Sequence, residues 1–330
     1  MIRLIAALAL FSLVFVGMTV SPAPAQDRRD PSDSKFREAP FAPSSQINFI
    51  GAAGTPRFGD TVTVLPNGNI VVTAPDYDIP SGANDVGAVA LFNGVTLAMI
   101  SRLNGSTAGD LVGNNGVTVL TNGNFVVRSP NWNNPSPVIA EVGAVTWCNA
   151  TTGCSGAISG ANSLIGSTAS DLVGIDEMTV LTNGNYVVRS QYWDNPAPAT
   201  LDVGAVTWGN GTSGTSGLIS ISNSLIGSTE NDLVGVNAIT TLTNGNYVVN
   251  SPFWDNPAPA IVDVGAVTWG NGTSGTVGLV SISNSLIGGT ANDYVGNSEV
   301  TALTNGNYVV GSPYWDNPSP AILDVGAATW

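Results

Sequence analysis

From residue 47 onward, short apolar runs alternate with polar, glycine-rich punctuation, and like patterns recur at a nearly constant interval. In one stretch, residues 238–242 form a β-branched run, Asn244-Gly245 is a two-residue hairpin signal, and residues 247–250 return as a second strand. A longer loop over residues 252–262 carries Trp254, Asp255 and alternating prolines and alanines. Residues 263–269 predict a third strand, 270–275 a glycine-rich hairpin, and 279–287 a fourth strand. We name these strands A, B, C and D. No stretch sustains a helical period.

The pattern is a repeat. The glycine of the Asn-Gly-Asn turn falls at Gly68, Gly123, Gly184, Gly245 and Gly306, and the last four are sixty-one residues apart. Trp147, Trp208, Trp269 and Trp330 keep the same step, as do Trp132, Trp193, Trp254 and Trp315. Four antiparallel strands in about sixty residues is the size of one propeller blade with one enlarged loop. The prediction is an all-β, five-bladed β-propeller of four-stranded antiparallel blades over residues 47–330. Trp330 ends strand C of the fifth unit, and Ile50-Gly51 precedes Gly59 as Ile226-Gly227 precedes Gly235. The N-terminal strand is therefore expected to complete the last blade, which would remove exposed sheet edges. An open or stacked β-array, or a fragment of a larger repeat assembly, also fits the pattern.

Composition narrows the function classes. Arg3, an apolar run over residues 4–20 and Ala23-Pro24-Ala25 read as a signal peptide over residues 1–25, cleaved after Ala25; an uncleaved anchor is the alternative. Residues 26–46 are charged and rich in proline and serine, a flexible linker. No later segment is long and apolar enough to span a bilayer. The mature protein is thus expected to be secreted, periplasmic or held at the cell surface. The net charge is −14 and no Lys or Arg follows Arg189, which argues against nucleic acid as a partner. There is no His, so the commonest general base and any Ser/His/Asp or Cys/His arrangement are missing. Cys148 and Cys154 lie in one unit and predict a disulfide across a tight hairpin.

The first unit reads Phe58-Gly59, then Asn67-Gly68-Asn69-Ile70-Val71-Val72-Thr73-Ala74-Pro75, then Val86-Gly87-Ala88-Val89. That order resembles the FG-GAP repeat of integrin-type β-propellers. The later units, with Leu-Thr-Asn-Gly-Asn-Tyr-Val-Val, Trp-Asp-Asn and Val-Gly-Ala-Val-Thr-Trp, resemble a related repeat of unknown function found in bacterial surface and secreted proteins. The resemblance implies a propeller. It departs where many FG-GAP repeats carry an Asp-rich calcium loop between strands A and B, here replaced by the Asn-Gly turn, so calcium loops of that kind are not implied.

Three acidic columns recur. Asp110, Asp171, Asp232 and Asp293 occupy the D-to-A connection. Asp78, Asn133, Asp194, Asp255 and Asp316 follow the loop aromatics Tyr77, Trp132, Trp193, Trp254 and Trp315. Asp85, Glu141, Asp202, Asp263 and Asp324 precede Val-Gly-Ala. In a propeller the D-to-A and B-to-C connections share one face, so all three columns collect there. Aromatic planes beside carboxylates suit a sugar, whereas Asx-turns and interblade packing would explain the same residues structurally. Pairs such as Asp255 and Asp263 offer calcium two carboxylates, short of the ~6–8 oxygens it takes, so no cofactor is assigned and calcium stays an option. No catalytic residue is assigned. The expected function is a non-catalytic surface or secreted binding or adhesion module for a glycan or a surface protein. A structural spacer is the alternative, and a carboxylate-based glycoside hydrolase has less support because the last three units are nearly identical.

Overall fold

The computed structural model describes residues 19–21, 46–51 and 55–330. The expected signal peptide and linker lie outside the described residues, apart from Thr19–Ser21 and the first residue of Gln46–Asn48, which pair as antiparallel strands. Every regular element among the described residues is β, and no helix long and apolar enough to cross a membrane occurs there.

Each unit folds as one blade. Strand B is the regular one: Ile70–Ala74, Phe125–Ser129, Tyr186–Ser190, Tyr247–Ser251 and Tyr308–Ser312 each run five residues. It pairs antiparallel with strand C, which is Ala88–Phe92, Ala144–Cys148, Ala205–Gly209, Ala266–Gly270 and Ala327–Thr329. Side-chain size is matched across the pair. Tyr186 faces Gly209 and Tyr247 faces Gly270, and a Cβ on either glycine would overlap the tyrosine ring. Strand A is short, as in Val117–Val119 and Thr240–Thr241. The A–B turn is not the two-residue hairpin that Asn244-Gly245 suggests. Only the glycine takes positive φ, at 87°, and the Leu242 amide donates to the Asn246 carbonyl at 2.8 Å. This is the longer turn in which a left-handed glycine follows ordinary turn residues.

Both faces of an interior blade are covered, which explains the unbroken apolar run in strand B. Val187 packs in the core towards blade 4 while its neighbour Val188 packs in the core towards blade 2. Val248 and Val249 divide in the same way. The hydrophobic cores therefore lie between consecutive blades, the face-to-face packing of propeller sheets.

Strand D corrects the sequence reading. The single strand expected over residues 279–287 is two. Gly278–Leu279 leaves its own blade and pairs parallel with Ser224–Ile226, the D strand of the blade before. Ser285–Ile287 then returns to pair with strand C of its own blade. Asn284 makes the break: its Oδ1 accepts from the Ser281 amide at 2.9 Å, and its Nδ2 donates to the Leu279 carbonyl at 2.9 Å. Such local side-chain bonds offer the backbone an alternative to a continuous ladder. Gly156–Ala157 and Gly217–Leu218 cross over identically, so each of blades 1 to 3 gains a parallel fifth strand from its successor.

The N-terminal strand does not complete the last blade. Among the described residues blade 5 shows three strands, Val300–Ala302, Tyr308–Ser312 and Ala327–Thr329, while Gln46–Asn48 pairs with Thr19–Ser21. Aromatic burial directs the following segment elsewhere. Phe49 and Phe58 sit edge-to-face at 5.4 Å, and Phe49 meets Phe92 on the outer face of blade 1 at 4.3 Å. That face would otherwise expose Val72, Ala90 and Phe92 to water. Among the described residues, no strand pairing or hydrogen bond joins blade 1 to blade 5.

Candidate functional site

The B-to-C loops form the candidate face, and their construction starts at the loop aromatic. The Trp254 amide donates to the Ser251 carbonyl at 3.2 Å and its own carbonyl accepts from the Gly265 amide at 3.0 Å. Its backbone thus ties both ends of the loop. Trp132 and Trp193 repeat these bonds. Between the ties, short strands such as Asn256–Pro257 and Ala260–Ile261 pair in a small hairpin around a cis Ala258–Pro259 peptide.

The rings turn inward. Trp132, Trp193 and Trp254 are no more than 1% exposed and belong to the interblade cores, and Tyr77 is also buried. Trp315, in the fifth blade, is half-buried. The expectation that these rings form a stacking surface is therefore corrected for the first four blades: a ring without an open face cannot receive a sugar. Their Nε1 atoms in blades 2 to 4 are buried with no hydrogen-bond partner among the described residues.

The side chains of the first two columns are spent on the backbone. Asp232 Oδ2 accepts from the Ser228 and Thr229 amides at 2.6 and 2.9 Å, and Oδ1 accepts from the Asp255 amide at 2.9 Å. Asp255 Oδ1 in turn accepts from the Asp263 amide at 2.7 Å. The same relay links Asp171, Asp194 and Asp202, and also Asp293, Asp316 and Asp324. In blade 2 it runs from Asp110 through Asn133 to Glu141, and in blade 1 Asp78 accepts from the Asp85 amide. The third column sits at positive φ, between 48° and 52°, at Asp85, Glu141, Asp202, Asp263 and Asp324. Aspartate suits that left-handed conformation, and glutamate suits it less. Hydrogen bonds thus link the three columns to one another in blades 2 to 5.

Burial sets the electrostatics. Desolvation raises the carboxyls of Asp171 and Asp232 above the ordinary range, against the pull of their amide and hydroxyl donors. Asp202 and Asp263 are also raised, first by burial and then by neighbouring carboxylates, Asp194 with Glu230 for one and Asp255 for the other. Among the described residues no group of three or more Asp, Glu or Cys side chains is placed to hold a metal ion.

The exposed aromatics stand one position away from the expected ones. Tyr192, Phe253 and Tyr314 directly precede the loop tryptophans and are 38–45% exposed. Tyr294 joins them from the D-to-A connection: its ring lies 6.1 Å from Phe253 and 6.2 Å from Tyr314, edge-on to both. No repeat marker points to this cluster. The only sequence signal was an aromatic beside the tryptophan in three of the five loops.

On the opposite side of the blades the C–D hairpins lock neighbours together. Gly211 O accepts from Asn122 Nδ2, Asn124 Nδ2 and Trp147 Nε1 of the blade before, at 2.7, 3.0 and 2.9 Å. Gly272 O accepts the equivalent three bonds from Asn183, Asn185 and Trp208. The expected disulfide is present in one of these hairpins, joining Cys148 and Cys154 with their Cα atoms 4.8 Å apart.

Comparison with known proteins agrees with the repeat. A family model described as a repeat of unknown function, DUF5650, matches residues 64–114, 119–175, 180–236, 241–297 and 302–330. No FG-GAP model matches, so that part of the resemblance is not supported. No curated protein matches the chain. Among solved structures, virginiamycin B lyase from Staphylococcus aureus is similar at 9% identity over 81% of this chain and 67% of that one, with a TM-score of 0.35. With five matches that follow the five blades, the chain belongs to the DUF5650 family of repeats of unknown function.

Proposed function

We propose that this protein is a non-catalytic, exported binding scaffold, in which rigid blades display the B-to-C loop face to a glycan or a surface protein. The observation that carries this reading is the cluster of Phe253, Tyr294 and Tyr314, three partly exposed rings in which Tyr294 makes edge contact with the other two. Aromatic groups with an apolar body and an accessible edge are the usual anchors of binding surfaces. The absence of His from the sequence and the use of the aspartates as backbone acceptors support the non-catalytic part. Export rests on the sequence of residues 1–25 alone.

A second reading, a structural spacer, is favoured by the relay of buried aspartates, because each strictly periodic polar residue has a folding role. Glycan-array and surface-protein binding separates the two. Converting Phe253 and Tyr314 to Ala is expected to weaken binding at least about tenfold without loss of folding. Absence of any ligand, or binding unchanged in that double variant, would leave the spacer reading standing.

A further inference from the structure

One position in strand B changes character along the array. Arg128 and Arg189 occupy it in blades 2 and 3, and Asn250 occupies it in blade 4. Both arginines reach across to the next blade. Arg128 Nη1 donates to the Asp176 carbonyl at 2.9 Å and Nη2 to the Asn115 carbonyl at 2.8 Å. Arg189 Nη1 donates to the Val236 carbonyl at 3.0 Å. These acceptors all lie in the segments that lead into strand A. Burial pulls the Arg128 pKa down, and the charges of Glu177 and then Asp176 oppose that pull.

Two repeats on from Arg128, the acceptors and the acid are kept while the cation is not. Asn237 stands where Asn115 does, Ser298 where Asp176 does and Glu299 where Glu177 does. Asn250 Nδ2 donates to the Ser298 carbonyl at 3.3 Å, the counterpart of the bond from Arg128 to the Asp176 carbonyl. Asparagine is the shorter side chain, and beside it opens a cavity of about 460 Å³. Asn237, Thr240, Thr241, Asn250, Ser298 and Glu299 line it. Its volume falls within the ~300–1,000 Å³ of ligand sites. Asn250 is 3% exposed, and its Oδ1 is buried with no hydrogen-bond partner among the described residues. The bond from Nδ2 to a carbonyl fixes which way the amide points, so Oδ1 is the atom left over. A buried acceptor without a donor is costly. Glu299 makes no ion pair among the described residues, and no Lys or Arg follows Arg189.

We propose that this cavity binds the guanidinium group of a ligand, in the place that the Arg128 side chain fills two blades earlier. The group donates to Asn250 Oδ1 and to the Asn237 carbonyl, the counterpart of the Asn115 carbonyl. Glu299, exposed at the rim, supplies the opposite charge. A guanidinium suits such a set better than an ammonium, because its donors lie in a fixed planar fork and it is more weakly hydrated. The net charge of −14 favours the approach of a cation. The ligand is either a free guanidino compound or an arginine of another protein; the recognised group is the same. Phe253, Tyr294 and Tyr314 are not part of the cavity, so the inference does not rest on the proposed binding face.

The test titrates the full chain with N-acetyl-arginine amide, N-acetyl-lysine amide and methylguanidinium, read by calorimetry and by the NMR signal of the Asn250 side-chain amide. Saturable one-to-one binding of the arginine probe is expected, with the lysine probe weaker. Asn250→Arg places the residue of blades 2 and 3 in blade 4, so the chain's own guanidinium should fill the cavity and abolish binding. Glu299→Gln, at an exposed position, avoids any repacking around residue 250 and should weaken binding about threefold. Methylguanidinium bound as tightly as the capped arginine supports a free guanidino ligand, and tighter binding of the capped arginine supports an arginine of a protein. No saturable binding, equal binding of the lysine probe, or undiminished binding by the Asn250→Arg variant would each overturn the proposal.

Discussion

The junction of blades 3 and 4 and the outer edge of blade 4 are built from the same residue types at the same spacing, yet among the described residues one is covered and the other open. At the first, Asn183, Asn185 and Trp208 all reach Gly272 O, and the aligned ring of Tyr247 is buried. At the second, Asn244, Asn246 and Trp269 line a cavity. A repeat of this kind cannot bury its own hairpin-facing surface; its successor does so, as in other arrays whose stability comes from neighbour interfaces. On blade 1 the outer face is covered differently, by Phe49 and Phe58.

The largest expected effect separates interior blades from the open one. Trp254→Ala removes a fully buried ring and should cost about 3–5 kcal/mol in denaturant unfolding, whereas Trp315→Ala, half-buried, should cost about half as much. Equal losses would erase the distinction between interior and edge. Next in size, Asp232→Ala should cost about 3 kcal/mol, since it leaves the Ser228, Thr229 and Asp255 amides without their acceptor. The cap is weaker: Phe58→Ala should cost about 2 kcal/mol and should speed amide exchange in blade 1 but not in blade 4.

The smallest effect is electrostatic. Because burial raises Asp171 and Asp232, the folded protein binds more protons than the unfolded chain between the ordinary carboxylate pKa and the raised one. Stability should therefore climb as pH falls from neutral through that window and level off below it. A urea midpoint lower at mildly acidic than at neutral pH would show the opposite linkage.

The comparison between junctions also shows which parts of the molecule the sequence could reveal. Blade number and strands A, B and C were legible because they rest on local patterns, the Asn-Gly turn and the Val-Val pairs, repeated in one register. The division of strand D was not. Residues 279–287 are uniformly compatible with a strand, and the break depends on Asn284 bonding to backbone and on a parallel partner about fifty residues earlier. Inside the loop, nothing local distinguishes Phe253 from Trp254, yet one is exposed and the other buried, because Trp254 packs against the preceding blade. The acidic columns were visible as a periodic pattern, but their hydrogen bonds to loop amides could only be seen in three dimensions. At the N-terminus a local match, Ile50-Gly51 with Ile226-Gly227, was outweighed by the burial of Phe49 and Phe58, residues distant from any repeat marker.

Stability passes from blade to blade through the C–D hairpins, each of which ties its blade to the one before. Hydrogen exchange across the five B strands tests it directly. Amides of Val187, Val188, Val248 and Val249, inside covered blades, should exchange slowest, and those of Val309 and Val310 in the three-stranded fifth blade fastest. Uniform protection from blade 1 to blade 5 would contradict it.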